Sequence, residues 1–171
     1  MKTRLLILSI IVFAIAMFRI LPHPANVSPV AAMALFGGVY FADKRVALII
    51  PFMALLLSDL LIGLHDTMVF VYASFALTMV IGYWIRDRQG VMSIASATIA
   101  SSALFFLVTN FGAWLSHGMY PFTAQGLVQA YVAGLPFLQN TLLGNLFFSA
   151  VLFGGFALLQ KRHLVDPKAI A

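Results

Sequence analysis

Long apolar runs separated by turn residues predict helices over 5–21, 30–42, 46–64, 68–85, 91–116 and 138–159. Crossing a bilayer takes roughly 20 helical residues. The run 30–42 is short by that measure, so it must extend toward Lys44, begin earlier, or cross where the protein is thin. In the segment 117–139, Leu127, Tyr131 and Leu135 recur every fourth residue up to Pro136. That spacing predicts a separate helix lying on the surface, ended by the proline. The expected fold class is all-α: a polytopic membrane helix bundle of about six transmembrane helices, with residues 1–171 forming one integral membrane domain.

Composition sharpens this picture. Hydrophobic residues make up 63% of the chain and charged residues only 9%, with a mean hydropathy of +1.03, against about 25% charged residues in an ordinary soluble domain. The net charge of +5 is distributed as topology requires. Nine of the ten Lys and Arg residues (Lys2, Arg4, Lys44, Arg45, Arg86, Arg88, Lys161, Arg162 and Lys168) fall on one side of a six-span chain. The positive-inside rule makes that side cytoplasmic, both termini included, in a bacterial inner membrane. Paired cations between apolar runs are not a nucleic-acid stripe, so nucleic acid is not an expected partner and membrane lipid is. Tyr83 with Trp84, and Trp114 with Tyr120, fall where aromatic belts belong. Ala14, Ile15 and Ala16 mimic a signal-peptide cleavage site, but the apolar run continues to Leu21, which favours an uncleaved first helix.

The absence of cysteine excludes disulfides and thiolate chemistry. No second histidine stands at helical ligand spacing from His65, and neither a triad order nor a phosphate-binding glycine loop is present. No cofactor and no enzymatic role are expected. Polar chemistry collects toward the outer face instead. His23, His65 and His117 fall in outer loops, Arg19 near the outer end of the first helix, and Asp59 about 7 Å below the outer end of the third. Asn110 and Asn145 reach a similar depth on the last two helices. Arg19 and Asp59 either pair to lock two helices, serve a ligand directly, or snorkel to the interface; the asparagines either bond between helices or serve a ligand. The loop PHPANVSP at 22–29, stiffened by three prolines, offers His23, Asn26 and Ser28 over the mouth. Ligand-binding candidates are therefore Arg19, His23, Asn26, Asp59, His65, Asn110, Asn140 and Asn145.

Four segments carry a family resemblance: RILPHPANVSPVAAMALFGG at 19–38, LLLSDLLIGLH at 55–65, FFLVTNFGAWL at 105–115, and YPFT with LPFLQNTLLGNLFF within 120–148. Together they resemble a bacterial membrane family described as putative transport proteins, itself similar to the substrate-binding S components of energy-coupling factor vitamin transporters. The resemblance implies six helices, a ligand held near the outer face under loop lids, and an energising membrane module as partner. Solitary S-component-like proteins that take up vitamin B12 offer the nearest comparison. With no cysteine to ligate cobalt, cobalamin would take His23, His65 or His117, or no protein ligand. Of the Ala-xxx-Ala docking pattern of S components, the first helix has only Ala14 and Ala16. The functional expectation is thus uptake or binding of a small, vitamin-like molecule, requiring an outer cavity of about 300 Å³ or more for a drug-sized ligand. A ligand-free membrane scaffold is the alternative, with a membrane-embedded enzyme third.

Overall fold

A computed structural model describes residues 2–116 and 118–164; His117 and residues 165–171, with Lys168, lie outside it. The described residues form six α-helices and no strand: α1 Lys2–Met17, continued by a 3-10 turn at Phe18–Ile20; α2 Val30–Tyr40; α3 Lys44–Ile62; α4 Met68–Trp84; α5 Val91–Ser116; and α6 Ala124–Lys161. The segment Thr3–Ile20 and helices α3, α5 and α6 are each long and apolar enough to cross a membrane. The chain is a membrane protein.

α2 accounts for the short second run. It has 11 residues, about 16 Å of helix, and every one of them is buried. A helix apolar on all sides belongs inside a bundle, and α2 is the central post that α1, α3, α4, α5 and α6 surround. Close backbone approach fixes it against α4. A Cβ on Gly38 would fall on the carbonyl of Met79, and one on Gly82 on the carbonyl of Leu35. On another side Gly37 receives the ring of Pro51, a proline inside α3. Phe36 and Tyr40 pack against Phe153 and Phe156 of α6.

Cations gather around the C-terminus of α2, which defines a basic end. Arg4, on α1, donates to the Tyr40 carbonyl at 3.3 Å. Arg86, just beyond α4, donates to the carbonyl of Gly38 at 3.1 Å and to that of Phe41. Asp43 caps α3 by accepting from the backbone N–H groups of Arg45 and Val46. These bonds, Val46 first, hold its carboxyl below the usual carboxylate range.

The expected surface helix ending at Pro136 is corrected: it and the last span are one 38-residue helix, α6, with Pro136 inside. Its length is about 57 Å, well beyond a hydrocarbon core of about 30 Å. An interior proline removes one backbone bond and crowds the carbonyl four residues back. Neighbouring helices make such a proline tolerable in membrane proteins. Here α5 grips α6 next to Pro136: the Tyr131 hydroxyl donates to the Leu107 carbonyl at 2.9 Å, and Gly134 seats Asn110.

Candidate functional site

At the end of the bundle opposite the cations, α1 closes in the 3-10 turn that carries Arg19. Its guanidinium lies 2.6 Å from the Asp59 carboxylate of α3, with side-chain exposures of 11% and 1%. Arg19 also donates to Ser58 Oγ and, at 3.4 Å, to the Leu55 carbonyl. The second Asp59 oxygen accepts the Tyr72 hydroxyl of α4 at 2.9 Å. A charge removed from water must be paired and bonded to be tolerated; here five residues from three elements meet that demand.

Beside this network lies a cavity of about 160 Å³ lined by Arg19, Asn26, Ser28, Val30, Ala31, His65, Val71, Phe105, Thr141 and Asn145. Its polar wall on α6 follows from spacing: Thr141 and Asn145 are four apart and share a helix face. The Asn145 amide donates to Ser102 Oγ at 3.0 Å, while its Oδ1 is buried without a hydrogen-bond partner. Below it, Thr98 donates to Ser149 at 3.0 Å, so α5 and α6 are joined by facing polar positions.

The loop 22–29 roofs this cavity. Asn26 adopts a left-handed φ of 62°, which asparagine tolerates better than most residues. A turn bond from the Val27 N–H to the Pro24 carbonyl (3.1 Å) tightens the loop. α6 fixes its seat: Asn140 donates to the Ala25 carbonyl at 3.0 Å, and a Cβ on Gly144 would meet Val27 Cα at 3.1 Å. On the other side, His65 is exposed and its Nδ1 lies 2.9 Å from Thr67 Oγ1.

Of the sequence candidates, then, Arg19, Asn26, His65 and Asn145 line one cavity. Four others do not. Asp59 stands behind Arg19 as its counter-ion. Asn140 holds the loop. His23 stacks on Phe18 with ring centroids 5.9 Å apart and turns Nδ1 toward the Pro24 carbonyl. Asn110 bonds back to the Phe106 carbonyl at 2.8 Å and packs on Gly134. Thr141 and Phe105, which sequence reasoning passed over, do line the site; the i to i+4 relation of Thr141 to Asn145 was the available signal. The volume also departs from expectation. It is about half the roughly 300 Å³ that a drug-sized ligand requires, and close to that of a cavity of about 150 Å³ that accepts benzene.

In comparison with known proteins, a family of unknown function, DUF6580, aligns with residues 1–169, and the chain belongs to this family. No curated protein and no solved structure matches the chain. The resemblance to vitamin-transporter S components rests on the sequence motifs alone.

Proposed function

We propose that this protein binds a small polar solute at the outer face of a bacterial inner membrane and serves its uptake, as a transporter or as the binding component of one. The observation that carries the reading is the cavity beneath the loop 22–29, where several elements bring polar groups together around an unpartnered Asn145 Oδ1. A buried acceptor left without a bond costs free energy that a ligand donor would recover. The orientation follows from the positive-inside rule, with the basic end cytoplasmic and the cavity outward.

Site chemistry narrows the solute. Arg19 is neutralised by Asp59, so the cavity favours a solute without net charge. Asn145 Oδ1 calls for a donor, and the Ser28 and Thr141 hydroxyls and the His65 ring supply further polar contacts. With the loop in its observed position, a solute of roughly benzene's size fits and a corrinoid does not. Loop movement or a partner module would be needed for anything larger.

A chain without cysteine makes the test clean. A single cysteine replacing His65, which is exposed at the edge of the cavity, should react with a small, membrane-impermeant thiol reagent added to intact cells. Cysteines at Arg88, on the basic side, and at Ser102, buried between α5 and α6, should stay unmodified. Labelling at Arg88 with protection at His65 would put the cavity on the wrong face for uptake.

A further inference from the structure

α3 and α4 scarcely touch each other, although both pack on α2. Between them, at the basic end, runs a crevice of about 320 Å³, floored by Gly38 of α2 and walled by Ala47 and Leu48 of α3 and Met79 and Val80 of α4. Leu48 and Val80 are 46% and 44% exposed, so the crevice opens sideways, toward lipid in a membrane. Its rim is cationic. Lys44 Nζ and Arg86 Cζ lie 4.9 and 4.8 Å from the centroid of the same ring, Tyr83.

Charge around the rim is unbalanced. Asp43 directs its carboxylate to the backbone of Arg45 and Val46, and Asp87 is exposed; against these stand Lys44, Arg45, Arg86 and Arg88. Among the described residues, neither Lys44 nor Arg86 makes an ion pair, and Arg86 Nε is buried without a hydrogen-bond partner. Two cations converging on an interfacial tyrosine above an apolar slot match a phosphate joined to an acyl chain. A free phosphate would use the rim and leave the slot empty; a zwitterionic lipid would bring a cation of its own to a cationic rim.

We propose that this crevice is a binding site for an anionic phospholipid, with one acyl chain lying between α3 and α4 and the phosphate held at Lys44 and Arg86. The site is independent of the solute cavity at the other end. It ties the lipid to the α2–α4 junction, because Arg86 reaches past the crevice floor to the Gly38 and Phe41 carbonyls.

The test is lipid titration of the detergent-purified protein followed by native mass spectrometry, using phosphatidylglycerol and phosphatidylcholine with identical acyl chains, and glycerol 3-phosphate as the headgroup alone. A basic residue near a membrane surface contributes about fivefold in affinity for anionic lipid. The wild type should therefore retain phosphatidylglycerol several-fold better than phosphatidylcholine and should not retain glycerol 3-phosphate. Lys44→Gln should cut the preference about fivefold. Val80→Trp, which fills the slot and leaves the rim charged, should reduce retention of both lipids. Equal retention of the two lipids by the wild type, a preference that survives Lys44→Gln, undiminished lipid retention by Val80→Trp, or capture of glycerol 3-phosphate without lipid would overturn the proposal. So would a second protein chain occupying the crevice in place of lipid.

Discussion

Replacing Arg19 with Met, or Asp59 with Leu, should each cost more stability than making both replacements in one chain. In the first variant a carboxylate 1% exposed keeps only the Tyr72 hydroxyl; in the second the guanidinium keeps Ser58 and the Leu55 carbonyl but loses its counter-charge. Removing one partner of a buried ion pair costs about 3–5 kcal/mol, whereas exchanging the whole pair for well-packed apolar residues is often neutral. A double-mutant cycle in denaturant or thermal unfolding, in mild detergent, measures the coupling directly. Losses that simply add would mean the two charges do not stabilise one another, and the anchor joining α1, α3 and α4 at the cavity would lie elsewhere.

A second large effect is expected at the α2–α4 crossing. Gly82→Ala places a methyl group on the Leu35 carbonyl, with Gly38 Cα only 3.1 Å away, and neither backbone atom can turn aside as a side chain would. The helices must part, opening the crossing that holds the short central helix against α4. Gly82→Ala should therefore abolish a monodisperse peak in detergent. Gly154→Ala is the control: a Cβ there meets nothing, and the exchange of glycine for alanine inside a helix gains about 1 kcal/mol. Opposite signs at two glycines are predicted; equal behaviour would contradict the packing.

Much of this architecture was legible in the sequence because membrane helices announce themselves by length and charge. The run 91–116 coincides with α5, and α3 and α4 begin and end within two residues of their expected limits. Proline misled the reading of α6, since Pro136 marks a helix end in water but is accommodated where α5 supports the helix beside it. At the site, neither the depth nor the azimuth of Asn110 was readable. The expected common depth of Asn110 and Asn145 is corrected: Asn145 meets Ser102 of α5, whereas Asn110 meets Gly134, 11 residues and about 16 Å from Asn145 along α6. A helix also turns by roughly 100° per residue, so Asn110 points roughly 140° away from Phe105, the α5 residue that lines the cavity. Level and rotation together put Asn110 on Gly134 and leave Asn145 lining the site. The Arg19–Asp59 pair was legible for a different reason: two opposite charges at one level of an apolar bundle have few other solutions.

The central claim is that the roofed cavity at the outer end holds a small polar solute, and it can be tested most directly without choosing a candidate solute in advance. Small molecules released from gently purified wild-type protein should be compared by mass spectrometry with those from Asn145→Leu, which removes the unpartnered acceptor, and from Ala31→Leu, whose added methyl groups have the cavity to fill. A low-molecular-weight polar compound enriched with the wild type and lost from both variants, all three remaining monodisperse, is the predicted result; the same compounds in the same amounts from all three proteins would contradict it.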